Sequence, residues 1–356
     1  MKTISVCMIV KNECEVLDRV LGSVISFADE IIVIDTGSTD NTVEIAKKYT
    51  DKVFSFEWKD DFSAARNFSF SKGTSDYLMW LDADDVVPRE SAEKLLRLKE
   101  TLSDEDVIML PYHTAFDENG NVSFWYYRER LLKRKGNFIW HDPVHEVIIP
   151  KGKIIYENIP VEHRKIKPGN PFRNLRIYQK IIREGAVLSK RQQFYYANEL
   201  YYNALYDEAV CIYKKFLEGG GLTENNIQAC LNLSKIYKIK GNINKSLETL
   251  FRSFIYSTPK PEILCEIGSL LLENKDYYGA FYWYEKAVCR NIPNSSAFIL
   301  KDCYGYIPYV YMGLCSYYLK DYENALKYND LALEIKPYSK VCQKNKEYYL
   351  LAANKN

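Results

Sequence analysis

The hydrophobic pattern of the chain changes period along its length, and the changes mark its elements. Residues 4–10 (ISVCMIV) and 31–34 (IIVI) are short β-branched apolar runs, while Val16, Leu17, Val20, Leu21, Val24 and Ile25 recur between them at helical spacing. Asp40 precedes TVEIAKKY, which reads as a capped helix. Residues 53–56 (VFSF) read as a third strand, and Phe62–Ser71 as a helix ended at Gly73. Tyr77–Leu81 (YLMWL) is an apolar strand running straight into Asp82-Ala83-Asp84-Asp85. This alternation predicts an α/β, Rossmann-like domain on a mainly parallel sheet, with a ligand crevice at the carboxyl ends of the strands.

From Val107 the pattern becomes two strand-like runs, VIMLPYHTAF and VSFWYYRERLL, joined by a hairpin turn at Asp117-Glu118-Asn119-Gly120-Asn121. The polar stretch RKIKPGNPFR, from Arg164 to Arg173, then breaks the pattern with two prolines and a glycine. The expected division is a first domain over residues 1–165, a linker with a connecting helix over 166–190, and a helical domain over 191–356.

The last of these is rich in tyrosine and repeats a phrase. It occurs as Tyr206-Asp207-Glu208-Ala209, Ile243-Asn244-Lys245-Ser246, Tyr277-Tyr278-Gly279-Ala280 and Tyr322-Glu323-Asn324-Ala325, with the small residues 37, 34 and 45 positions apart. Pro259, Pro293 and Pro337 follow the last three phrases where the second helix of a pair should end. The pattern resembles the tetratricopeptide repeat, whose period is about 34 residues, with the wider spacing attributed to an insertion around Ser295–Gly305. Helix pairs of this kind stack into a curved solenoid with a concave binding surface.

Composition narrows the functions on offer. Lys+Arg 48 against Asp+Glu 47 leaves a formal charge of +1, which supplies none of the broad positive field of a nucleic-acid binder. No stretch is long and apolar enough to span a bilayer, and the N-terminal run stops at Lys11 without a signal-peptide pattern. Nine cysteines, an odd number without a C-x-x-C pair, favour a reducing compartment, so the expected location is cytoplasmic. Closed zinc spacing and a phosphate-binding P-loop are both missing, and Gly219-Gly220-Gly221 reads as a turn.

Asp82 and Asp84 carry the strongest chemical signal. Two carboxylates one residue apart at a strand end can share a divalent cation, and their hard oxygens suit Mn²⁺ or Mg²⁺ bridging to substrate phosphates. Arg66, within Asp61-Phe62-Ser63-Ala64-Ala65-Arg66-Asn67, has a guanidinium suited to a diphosphate, or it is a surface helix arginine. Trp140-His141-Asp142-Pro143-Val144-His145-Glu146 supplies candidates for a general base, Glu146 and Asp142 first and His145 beside them. The four histidines all fall between residues 113 and 163.

Taken in order, Val10-Lys11-Asn12-Glu13, Ile34-Asp35-Thr36-Gly37-Ser38-Thr39-Asp40 and Asp82-Ala83-Asp84-Asp85 resemble the family 2 glycosyltransferases of the GT-A fold over roughly residues 3–165. The forms around Asp35 and Arg66 resemble a branch that includes lipopolysaccharide-core glucosyltransferases and bacteriocin S-glycosyltransferases of the sublancin type. Many members carry two adjacent acidic residues where this chain has Asp35 followed by Thr36.

The resemblance implies that Val10, Asn12, Glu13, Asp35 and Ser38 flank the base and ribose. It also implies that Asp82 and Ala83 line the ribose-diphosphate, and that Asp82 and Asp84 take the metal, with His163, or in competition His145, as a further ligand. The implied reaction is inverting transfer of a hexose or N-acetylhexosamine from a nucleoside diphosphate sugar, UDP-linked, to a Ser, Thr or Cys side chain. Fusion to repeats implies a protein or peptide acceptor, and exposed repeat ends imply a homodimer. Two rival readings keep the same motifs: a transferase for a cell-surface saccharide, and an interaction module whose transferase half is inactive.

Overall fold

A computed structural model describes residues 1–116, 120–166, 169–290 and 299–354. The chain forms two compact units, Met1–Ala186 and Val187–Asn356. The first contains β1 (Ile4–Val10), α1 (Leu17–Val24), β2 (Glu30–Asp35), α2 (Thr42–Ala46), β3 (Val53–Ser55), α3 (Phe62–Lys72), β4 (Tyr77–Leu81), β5 (Asp85–Val86) and α4 (Arg89–Thr101). After these come the long strands β6 (Val107–Phe116) and β7 (Val122–Lys133), the short β8 (Trp140–His141), β9 (Val147–Ile148), β10 (Ile154–Tyr156) and β11 (Val161–His163), and the helix α5 (Arg173–Arg183). The turn expected at Asp117–Asn121 lies partly outside the described residues.

Among the described residues the sheet runs β3-β2-β1-β4-β7-β6-β11-β5, with β10 also paired to β6. Pairs β1–β2, β1–β4 and β2–β3 are parallel, and the β6–β7 hairpin and β4–β7 are antiparallel, so the sheet is mixed. β1 lies between β2 and β4, so the chain leaves it in one direction and returns on the other side. That reversal is where a crevice opens at the strand ends.

Alternation along β1 feeds two cores. Ile4, Val6, Met8 and Val10 pack with Leu17, Val20, Leu21 and Val24 of α1 and with Leu95 and Leu98 of α4, whereas Cys7 joins Phe70 of α3, Trp80 and Trp140 on the opposite face. The central strands are apolar on both faces because helices cover both. α5, from the stretch expected to connect the domains, belongs to the first unit, where Lys180 pairs with Asp60 at 2.7 Å.

The described residues of the second unit form α6 (Lys190–Tyr202), α7 (Tyr206–Gly219), α8 (Thr223–Ile239), α9 (Ile243–Arg252), α10 (Pro261–Glu273), α11 (Tyr277–Val288), α12 (Tyr306–Tyr318), α13 (Tyr322–Ile335) and α14 (Lys340–Ala353). Each repeated phrase starts the second helix of a pair, and Asn242, Asp276 and Asp321 cap α9, α11 and α13 by accepting a backbone N–H three residues on. Twelve residues before each small residue of the phrase stands another, giving Ala197, Ser234, Gly268 and Gly313. In two of these pairs the members meet directly: the Ser234 and Ser246 hydroxyls are 2.7 Å apart, and a Cβ on Gly313 would sit 3.1 Å from the Ala325 carbonyl oxygen. Small residues at both positions let the paired helices touch. Pro293 and most of the expected insertion lie outside the described residues.

Candidate active site

The ends of β1 and β2 are bound into one frame. The Val10 carbonyl accepts from the Thr36 amide and from its hydroxyl, each at 3.0 Å. Asn12 adopts a left-handed φ of 55°, which asparagine tolerates. Its amide donates to Ser38 Oγ at 2.9 Å, and its Oδ1 accepts from the Thr39 amide at 2.7 Å. Asp35 accepts from the amides of Gly37 and Ser38, and the Glu13 amide donates to Thr42 Oγ1 at 2.8 Å. Val10, Asn12, Glu13, Asp35 and Ser38 therefore do come together, as one hydrogen-bonded rim.

The motif around Arg66 is explained residue by residue. Asp61 caps α3 by accepting from the Ala64 amide at 2.9 Å. Asn67 clamps Trp140 twice, its Nδ2 donating to the Trp140 carbonyl at 3.0 Å and its Oδ1 accepting the Trp140 amide at 2.9 Å. Arg66, 6% exposed, lies between the rings of Trp80 and Trp140, with Nε donating to Glu146 Oε1 and Nη2 to Asp82 Oδ1, both at 2.7 Å. Burial opposes its charge, but the two carboxylates outweigh that and hold the guanidinium firmly protonated. Arg66 is thus no surface helix arginine: it places Asp82 and Glu146 on two prongs of one cation.

Asp82 is likewise disfavoured by burial, yet Arg66 and Arg130 hold its carboxyl down to about 2. Ala83 is buried in the core. Asp84 is pushed up, first by burial and then by Asp82 and Asp85, with His163 opposing. His163 on β11 lies across the β5–β11 bridge from Asp85, its Nδ1 3.4 Å from Asp84 Oδ1 and 3.4 Å from Asp85 Oδ1. Its imidazolium is favoured chiefly by Asp85 and then by Asp84, against burial.

Among the described residues, Asp84, Asp85 and His163 bring one ligand atom each within 4.8 Å of one another. Asp82 stands outside this trio, turned to Arg66. Asp85 is fully buried and already accepts from Arg130 Nη1 at 3.0 Å, Tyr112 Oη at 2.8 Å and the Asp82 amide at 3.0 Å. It is spent on structure, whereas the Asp84 carboxylate and the His163 ring are partly open. That oxygen and nitrogen donor pair fits a divalent cation, with places left for phosphate oxygens and water.

Asp142 and His145 lie in the loop between β8 and β9, both at left-handed φ, 70° and 54°. His145 is not in the acidic trio, nor are His113, whose ring meets Trp125, and His141, which is exposed. Sequence reasoning missed Trp80, Tyr112, Arg128 and Arg130. The Trp80 ring carries three guanidiniums, those of Arg66 at 5.1 Å, Arg128 at 4.7 Å and Arg130 at 3.8 Å. One signal was present: Arg128 and Arg130 stand two apart in a strand-like run, hence on one face, just before Leu131 and Leu132 of the core.

Residues 5–151 match the family model described as Glycosyl transferase family 2. The TPR repeat-containing protein Synpcc7942_0270 of Synechococcus elongatus is 34% identical over 148 residues, 42% of this chain and 36% of that protein. The SPbeta prophage-derived glycosyltransferase SunS of Bacillus subtilis is 31% identical over 180 residues, 49% of this chain and 39% of that protein. The chain thus matches well under half the length of these relatives. A tetratricopeptide repeat protein from Parabacteroides merdae, 14% identical, aligns with 52% of this chain and 68% of its own at a TM-score of 0.41, too loose a likeness to add to the argument. On the ordered motifs and these matches, residues 5–151 form a domain of the glycosyl transferase family 2 type, and the described residues that follow it form helix pairs repeating in the tetratricopeptide pattern.

Proposed function

We propose that the protein is a metal-dependent inverting glycosyltransferase. It moves a hexose or N-acetylhexosamine from a nucleoside diphosphate sugar, UDP-linked, to a Ser, Thr or Cys side chain of a polypeptide. The observation that carries this reading is the pairing of Asp84 with His163 at the end of β4, beside the rim of Asn12, Asp35 and Ser38, within a family 2 domain. The rim takes base and ribose, Asp82 and Ala83 line the ribose-diphosphate, and Asp84 with His163 would hold Mn²⁺ or Mg²⁺. Such an ion offsets charge on a departing diphosphate. Glu146, fixed beside Asp82 by Arg66, takes the proton of the attacking acceptor as general base, with Asp142 and His145 in the same loop as the other candidates. The acceptor assignment is supported by the helix pairs, whose stacked surfaces suit an extended chain, and glycosyl transfer itself by the relation to the glycosyltransferase SunS.

The test is a thermal-shift screen of nucleoside diphosphates with and without Mn²⁺, followed by labelled sugar nucleotides in a lysate. A Mn²⁺-dependent rise with one base, lost in Asp84→Asn, and label on protein bands are expected; a ligand at a hundredfold its Kd adds about 2.7 kcal/mol. No response to any diphosphate would overturn the donor reading, and label confined to saccharide or lipid would overturn the acceptor.

A further inference from the structure

The surroundings of His163 Nδ1 bear on where the protons of that ring belong. Three polar groups approach Nδ1: Tyr112 Oη at 3.0 Å, Asp84 Oδ1 at 3.4 Å and Asp85 Oδ1 at 3.4 Å. The two carboxylates only accept. Tyr112 has a single proton, and it goes to Asp85, which is the closer partner at 2.8 Å and an anion anchored by Arg130 inside the protein. The tyrosine oxygen is then left as an acceptor as well. Every neighbour of Nδ1 thus calls for a hydrogen on it, and in the neutral ring the lone pair falls to Nε2.

The chain behind this arrangement is rigid. Arg130 and Asp85 are wholly buried, the Arg130 guanidinium lies 3.8 Å from the Trp80 centroid and 4.2 Å from that of Tyr112, and Tyr112 is 5% exposed. Asp85 also accepts the Asp82 amide, so one buried carboxylate sets both the turn of the acidic motif and the tyrosine that orients the histidine.

We propose that Tyr112 and Asp85 are positioning residues that fix His163 as its Nδ1–H tautomer, so that Nε2 is the atom presented to a divalent cation. The proposal rests on the functional reading above for the cation, and it deepens that reading by assigning the ligating atom and the residues that set it. Ligand histidines are commonly oriented by a hydrogen bond from the other ring nitrogen, and loss of such a partner typically weakens metal binding by 10- to 100-fold.

With only four histidines in the chain, nitrogen-15 histidine labelling reads the tautomer directly, and His163→Gln assigns the signal. Spectra recorded without metal, at alkaline pH where the ring is neutral, are expected to show His163 protonated on Nδ1. Tyr112→Phe, which removes only a hydroxyl, is expected to leave the Nδ1 proton to Asp84 and Asp85 but to hold the ring less firmly, weakening Mn²⁺ binding, followed by the resonance of the free ion, by about tenfold. A wild-type His163 protonated on Nε2 overturns the proposal, as do a Tyr112→Phe protein with unchanged Mn²⁺ affinity and a wild type that binds no Mn²⁺. A protein that shows the expected tautomer and binds Mn²⁺ but turns over no sugar nucleotide supports the clamp and counts against the functional reading alone.

Discussion

Arg66 and Glu146 are 80 residues apart in sequence, yet Nε of one donates to Oε1 of the other at 2.7 Å, inside a sleeve made by two tryptophan rings. The same guanidinium holds Asp82, so its removal would leave two carboxylates without the cation they share. Breaking a buried pair by deleting one partner costs several kcal/mol. Arg66→Met should therefore lower the stability of the first unit by about 3 kcal/mol, and Arg66→Lys, with one cationic point in place of a fork, by less. Urea unfolding followed by tryptophan fluorescence measures both, because Trp80 and Trp140 flank the site. An unchanged midpoint in Arg66→Met would remove this residue from the stabilising set.

Glu30 makes the first unit sensitive to acid. Its side chain is 5% exposed and accepts from the Thr74 amide, the Thr74 and Ser5 hydroxyls and Lys52. Burial raises its pKa, but these donors outweigh burial and bring it from 4.5 to about 2. Because the folded value lies below the unfolded one, the stabilisation is present above about pH 4.5 and is lost as pH falls from there towards 2. It should amount to roughly 2 to 3 kcal/mol at neutral pH. Urea midpoints between pH 2.5 and 6 should fall more steeply in the wild type than in Glu30→Gln, and parallel curves would refute the assignment.

Two glycines should respond to alanine with opposite signs. Gly22 is an exposed position of α1, where an added Cβ would meet only the Tyr49 hydroxyl at 3.7 Å, so Gly22→Ala should stabilise by about 0.5 to 1 kcal/mol through helix propensity. Gly313 faces the Ala325 carbonyl oxygen at 3.1 Å, and backbone cannot swing aside, so Gly313→Ala should cost about 1 to 3 kcal/mol. Thermal unfolding of the two single variants decides the matter, and a stabilising Gly313→Ala would contradict the close approach of α12 and α13.

How far the fold could be read in advance depended on how local its causes were. The strand YLMWL appears as β4 with its expected bounds, because an apolar run doubly covered by helices needs no partner to be recognised. The starts of α7, α9, α11 and α13 fall on the first residue of each repeated phrase, since a small residue at a helix contact recurs with the repeat. The two-residue strands β5, β8 and β9 have no period to detect and exist only through pairing. The site divided in the same way. Asp84 with His163 and the Asn12–Ser38 rim followed from motifs, whereas Tyr112 and Arg130 lie 27 and 45 residues beyond Asp85 and reach it only because the hairpin folds against β4. Nor could a linear motif reveal that Asp82 turns to Arg66 while Asp85 occupies the third place beside Asp84 and His163.

The β8–β9 ribbon is a sheet of its own; Trp140 and Ile148 seat it in the core beside Phe70 and Trp80, and one stretch of α3 holds it by hydrogen bonds: the Phe62 amide donating to the Pro143 carbonyl at 2.9 Å, Arg66 on Glu146, and Asn67 on Trp140. For anyone recombining this protein with its relatives, the ribbon and the opening turns of that helix form a single transplantable cassette. A loop spanning residues 140–148 moved alone would arrive without its socket, and a chimera that carries residues 61–67 with it keeps the lock and the key together.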